Sequence, residues 1–393
     1  MKRIALFLIL LIVATPSAVA APKSVAVKKL TIIATVNAES IVASGKTIVT
    51  VSNSDGLNAN ILLTGMDISG AQLWQKTIDS GSDEVALASA SDSAGNIWLA
   101  GASSLPPTTE SATAPIQAEN PDGVIVEPVT KLRGDMNLLT LWKLSPLGDL
   151  LGTYTLAQSA PALINAISVN SSGISIVGQL EDKNFLVSAN SMGVFGKVIS
   201  IGTSKTQLNA VVRNNDGTVS VFGSSAEALA GKKLAGTRDG VLIKVSKAGS
   251  VATVVRSSAP KAQRSWLASD PSLALTGFVK TGKTIETAFT KFSSAFAPTW
   301  TLRVPSLGNS VITASGSSTY GALSSSAAVS GVTGWKPTTP SVLLLVLDGK
   351  GVITSAYGSS EISDPIALVN SKDLGVVGLA KTSTQTVSLF KLS

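Results

Sequence analysis

The 393-residue chain contains no cysteine and no histidine. Without cysteine there is no disulfide, no thiolate nucleophile, no cysteine metal site and no lipid-bearing cysteine. Without histidine, the usual general base, the Ser-His-Asp triad and the commonest zinc, copper or haem ligand are missing. Any chemistry would have to rest on carboxylates, lysine, tyrosine, arginine or oxygen-bound metals. Aromatic residues are scarce, at 5%, and charged residues make up only 14%. No window of about 15 residues beyond the first twenty has helical amphipathicity, so an all-β chain is expected.

What is present is a 44% hydrophobic composition rich in Ser, Ala, Gly, Val and Thr. Small and β-branched residues in short runs suit closely packed strands. The first twenty residues, MKRIALFLILLIVATPSAVA, join Lys2 and Arg3 to an apolar run, Pro16 and an A-V-A ending at Ala20. That is the layout of a secretory signal peptide cleaved before Ala21. The apolar run falls well short of the roughly 20 residues needed to span a bilayer, so no stable membrane span is expected after cleavage. Removing Lys2 and Arg3 leaves 29 basic against 24 acidic residues, a charge of +5. The basic residues are scattered without aromatic interleaving, which speaks for a solvated surface and against a nucleic-acid partner.

Residues 82–101, SDEVALASASDSAGNIWLAG, set the architecture: two short apolar strands joined by a polar turn. Degenerate copies recur along the chain. Each unit reads as strands A to D, with B strands such as IWLAGAS, ISIVGQL, VSVFGSS and LALTGFV. Gly101, Gly178, Gly223 and Gly277 hold equivalent places in these, and Gly378 makes a fifth. Equivalent B strands lie about 45 residues apart where nothing intervenes, the period of a β-propeller blade. The chain carries seven A, seven B and seven C strands but six D strands. The expectation is a seven-bladed β-propeller of four-stranded blades, a single domain over 21–393. The N-terminal stretch VAVKKLTIIAT would supply the last D strand and close the ring, hiding both edges.

Three insertions separate strands B and C, at 103–136, 226–239 and 326–340, and are expected on one face of the disc. The longest is rich in Pro, Thr, Ser and Glu and reads as a loop, with VIVEPV a possible strand. Loops of this length in a compact fold are commonly functional or disordered.

The units resemble those of bacterial extracytoplasmic β-propellers built from the short β-propeller repeat (SBBP-like). Residues 236–249, GTRDGVLIKVSKAG, and 133–148, RGDMNLLTLWKLSPLG, match its strand after Asp; residues 90–101 match its D-x-x-G-N half. Residues 67–74, DISGAQLW, also resemble a quinoprotein-like repeat. The resemblance spans nearly all of the chain after residue 20, least in the fifth and sixth units. It implies the fold and an extracytoplasmic location, and no defined activity.

Candidate sites follow from the insertions. Trp335 is expected to be an exposed aromatic beside Lys336, suited to a partner or sugar, although an aromatic capping the disc would read the same way. Arg133, Lys232, Lys233 and Arg238 would add a weakly cationic rim. The other tryptophans, Trp74, Trp98, Trp142, Trp266 and Trp300, fall in strands and are expected to pack between blades. Asp92, Asn96, Asn214, Asp216 and Asp373 fit the needs of tight turns, which explains them without calcium. The carboxylates of residues 79–84, DSGSDE, have no EF-hand spacing. Arg133-Gly134-Asp135 spells an adhesion tripeptide of the kind that arises by chance.

The A strands contain no carboxylate, and Arg213 is their one charged residue. General acid–base work needs a paired acid and base, which this wall does not supply. The leading expectation is therefore a secreted, non-catalytic binding or scaffold module at the cell envelope or outside the cell. It would meet a protein, peptide or glycan without cofactor or metal. The alternatives are a propeller hydrolase or lyase using the loop carboxylates Glu84, Glu361 and Asp364, and a purely structural part of an envelope assembly.

Overall fold

A computed structural model describes residues 24–54, 59–105 and 132–392. The expected signal segment and most of the first insertion lie outside them. The described chain is all-β and forms a β-propeller. No helix among the described residues is long and apolar enough to cross a membrane.

Successive antiparallel sheets cover residues 40–78, 84–157, 162–200, 206–257 and 262–305, each with its first strand innermost. The inner strands Ser40–Ser44, Glu84–Ser91, Ala162–Asn170, Thr206–Arg213, Ala262–Ser269, Ser310–Ser315 and Asp364–Ser371 pack in that order, and the last returns to the first. They surround a central channel. The apolar cores lie between neighbouring sheets. One holds Trp98, Leu139 and Leu141 against Ile164, Ile174 and Ile176; another holds Phe222 and Leu242 against Trp266 and Leu275. Each fully buried aromatic or aliphatic side chain there contributes roughly 1.5–3 kcal/mol.

Sheet count and closure differ from the sequence-based expectation. The structure shows six four-stranded blades, not seven. The remaining sheet is six-stranded, because two extra strands extend Ser310–Ser315, Ser318–Ser325, Ser341–Leu347 and Ile353–Ser359. The cause is the N-terminal stretch, which splits at Leu30 instead of running as one closing strand. Val25–Lys29 adds in parallel to Ile353–Ser359, and Val332–Thr333 from the third insertion adds to its outer side. Thr31–Val36 pairs antiparallel with Val387–Lys391 and completes the last four-stranded blade. Leu30, fully buried, sits between the two sheets that the stretch joins. The stretch reads as one continuous strand-forming run, which conceals the break, and its partners lie more than 300 residues away.

The recurring B-strand glycines have a steric cause. In five blades the ladder between strands A and B slips by one residue, leaving Leu87, Asn165, Asn209, Leu267 and Ile366 as bulges; in the first four a glycine pairs with the residue before the bulge, where the fifth has Ala380 opposite Pro365. A bulge crowds the partner strand. A Cβ on Gly101, Gly223 or Gly277 would lie 1.8, 1.9 or 1.9 Å from the carbonyl oxygen of Val85, Gln207 or Ser265. Gly178 meets Leu163 in the same way. Gly378 is different: its missing Cβ makes room for the rings and methyls of Phe390 and Leu368.

Candidate functional site

The channel wall carries little charge. A cavity of about 430 Å³ near the starts of the inner strands has Glu39 as its one titratable lining residue. One of about 550 Å³ near their ends has Asp270. The Glu39 carboxylate accepts a 2.7 Å bond from Asn53 Nδ2. Asp270 accepts from the Ser272 and Ala314 amides at 2.8 and 2.9 Å. Bulge residues Asn165 and Asn209 tie neighbouring inner strands together by donating to the Leu208 and Trp266 carbonyls at 2.7 and 2.8 Å.

The loop carboxylates are likewise engaged. Glu84 is buried, and one of its oxygens accepts from both the amide and hydroxyl of Ser80. Its other oxygen is buried without a hydrogen-bond partner among the described residues. Burial, reinforced by the charges of Asp79 and Asp83, pushes the Glu84 carboxyl above its ordinary value. Asp364 accepts from Asn309 Nδ2 at 2.8 Å, and Glu361 pairs with Lys29 at 2.9 Å. Inner strand Ser40–Ser44 stands between the strands that begin at Glu84 and Asp364.

The sequence-predicted residues are distributed over three sheets. Trp335 is buried, not exposed. Its ring fills the space beside Gly358, where a Cβ would lie 2.1 Å away, and Nε1 donates to Ser325 Oγ at 3.4 Å. It packs with Leu343, Leu345 and Ala356 in the core of the six-stranded sheet. Lys336 shares with it a shallow pocket of about 440 Å³, completed by Lys28, Lys29 and Glu361. Arg133 forms ion pairs with Asp83 and Asp135. Arg238 donates to Ser224 Oγ at 3.2 Å and to the Lys205 carbonyl at 3.4 Å. Lys233 is exposed, and the Lys232 carbonyl accepts from Arg256 at 3.2 Å. Arg256 lies on the outermost strand of its blade, so the second insertion folds over the blade's outer edge.

The turn residues behave as the turn chemistry requires. The Asp92 carboxylate accepts from the Ala94 and Asn96 amides, both at 2.9 Å, and from the Trp98 indole at 3.1 Å. Burial works to raise its pKa, but these bonds outweigh it and hold the carboxyl below the ordinary value.

A larger concavity escaped sequence reasoning. Between the third and fourth blades, beside the turns that hold Ser172, Asn190 and Ser246, lies a cleft of about 740 Å³. The outermost strand of the third blade is reduced to Ile199–Ser200, and the edge of Lys183–Ala189 is otherwise held by single bonds from the Ile201 amide to the Asn184 carbonyl and from the Gly196 amide to the Ser188 carbonyl. Arg213 lines this cleft together with Lys197 and Lys247. Its Nε donates to Ser172 Oγ at 2.9 Å, Nη1 to Ser188 Oγ at 3.1 Å and Nη2 to the Ser172 carbonyl at 3.0 Å. Burial lowers its pKa, opposed by the charge of Asp216. Arg213 was visible in sequence as the charged inner-strand residue. Phe195–Ile201 reads in sequence as an ordinary fourth strand, and its shortening to Ile199–Ser200 is seen only in the structure.

No protein-family model matches the sequence, and no curated protein matches it. Solved structures do share its fold. The WD40 domain of Toxoplasma gondii coronin aligns with a TM-score of 0.52 at 12% identity, covering 94% of this chain and 87% of its own. A candidate 6-phosphogluconolactonase from Bacteroides uniformis aligns with a TM-score of 0.51 at 8% identity, covering 87% and 94%. The propeller domain of the Trilobed protease from Pyrococcus furiosus gives 0.49 at 10% identity, covering 92% and 94%. At these identities the likeness is one of fold: the chain is a β-propeller.

Proposed function

We propose that the protein is a non-catalytic binding or scaffold module acting at the cell envelope or outside the cell. One observation carries this reading: the carboxylates nearest the inner strands are engaged in holding the fold. Glu84 caps its own loop through Ser80, Asp270 fastens one inner strand to the next, and Asp364 is held by Asn309. A general acid and base need a shared pocket, whereas the cavities near the two ends of the inner strands each offer a single carboxylate among their described lining residues, Glu39 in one and Asp270 in the other. The signal-like segment 1–20 and the resemblance to the short β-propeller repeat support an extracytoplasmic location and a bacterial repeat-propeller kinship. The partner would be a protein, peptide or glycan, with Trp335 and Lys336 bordering one contact surface and Arg133, Lys232, Lys233 and Arg238 others.

The test is binding without turnover. Purified protein is passed over envelope glycan and peptide arrays, and bound molecules are recovered for mass spectrometry. Saturable binding of unaltered molecules is expected. A ligand cleaved by wild type but not by a Glu84→Gln/Asp364→Asn variant overturns the reading. Exported protein should begin at Ala21 on N-terminal sequencing; a chain retained inside with Met1 refutes the location.

A further inference from the structure

We propose that the cleft between the third and fourth blades is a binding site for a small organic anion, its oxyanion group held by Arg213, Lys197 and Lys247. The inference deepens the binding reading above and rests on it.

Charge is the first reason. Among the described residues the cleft is lined by three cations and no acidic residue. None of the three takes part in an ion pair among the described residues. The nearby Asp216 lies outside the lining; its carboxylate accepts from the Thr218 amide and hydroxyl at 2.9 and 2.6 Å, and its charge offsets part of that of Arg213 and Lys247.

Unused hydrogen-bonding capacity is the second. A guanidinium has five N–H donors, and the three bonds of Arg213 run to two hydroxyls and a carbonyl. Two donors are left over on a partly buried cation whose acceptors are all neutral. Charge-assisted bonds to an oxyanion are roughly twice as strong as such neutral ones. The serines also fix the guanidinium in place, so little ordering entropy remains to be lost on binding.

Shape is the third. The volume suits a metabolite-sized molecule, and the cleft offers Phe195, Ile199, Val219 and Val245 beside its cations. That pairing selects a carboxylate or phosphate attached to an apolar body.

Calorimetric titration of the purified protein tests this with benzoate, inorganic phosphate and benzyl alcohol as probes. Benzoate or phosphate should bind, more weakly as salt rises, and benzyl alcohol at least tenfold more weakly. A benzoate preference points to a carboxylate ligand, a phosphate preference to a phosphate ester. Arg213→Gln should weaken anion binding by roughly ten- to a hundredfold. Because Arg213 also ties two blades together, a Lys197→Gln/Lys247→Gln variant, altering two exposed side chains, provides a second reading and should lose about tenfold. Lys350→Gln, on a different sheet, should change nothing. Absence of binding by both anions, or binding unchanged in the double-lysine variant, overturns the cleft site. Glycan or peptide capture in the array experiment would survive that result, so the two readings fail separately.

Discussion

Asp92 shows how one carboxylate can look like a ligand and serve as a turn. Its oxygens accept two backbone amides, the Asn96 amide group and the indole of buried Trp98. Asp92→Ala would orphan that indole and should cost about 2 kcal/mol in urea unfolding. Its folded pKa lies below the ordinary 3.8, so its contribution is present above that pH and lost as pH falls through the folded value. The gap between wild type and variant should therefore narrow in acid. Glu84 has the opposite sign. Its folded pKa lies above the ordinary 4.5, so stability is greatest below that value and falls as pH rises through the folded one. Glu84→Gln keeps the shape and removes the charge. Urea midpoints should show the variant gaining on wild type between pH 4 and pH 8, and parallel profiles would refute a buried, reluctant acid.

Among elements, the glycine and the bulge opposite it form one device. Gly223 faces the Gln207 carbonyl across the slip that leaves Asn209 unpaired in the ladder and free to donate to the next blade. Gly223→Ala should cost about 2–3 kcal/mol, since backbone and not a flexible side chain must move. Gly45→Ala tests the distinction, because nothing lies within 4 Å of that Cβ and only its positive φ opposes the change; it should cost about 1 kcal/mol. Denaturant unfolding of the two variants would show equal losses if crowding at the bulge were unimportant. The same glycine spacing was legible in sequence as a repeat mark, although the bulge it accommodates was not, because the slip is a property of two strands together.

For the whole molecule, closure depends on the stretch around Leu30. Its first half extends one sheet and its second half completes the next. Leu30→Ala should cost about 3 kcal/mol. More telling, amide exchange should accelerate in both Ile353–Ser359 and Val387–Lys391, while strands of the third and fourth blades keep their protection. Acceleration confined to one of the two sheets would show that they are not joined through this residue.

Period, turn chemistry and apolar alternation are local properties, and they determined the strand units, the turns, the all-β class and the channel-facing strands from sequence alone. The five buried or half-buried strand tryptophans were legible for the same reason. Trp335 was not: its insertion, 326–340, reads as an exposed loop, and only the approach of Gly358 from a neighbouring strand provides the slot that buries it. Tertiary structure likewise decided the six four-stranded blades beside one six-stranded sheet, because strand partners are chosen by edges left open elsewhere in the chain. It also decided the cationic cleft. Lys197, Arg213 and Lys247 lie far enough apart in sequence to form no motif, and a truncated outer strand brings them round one opening.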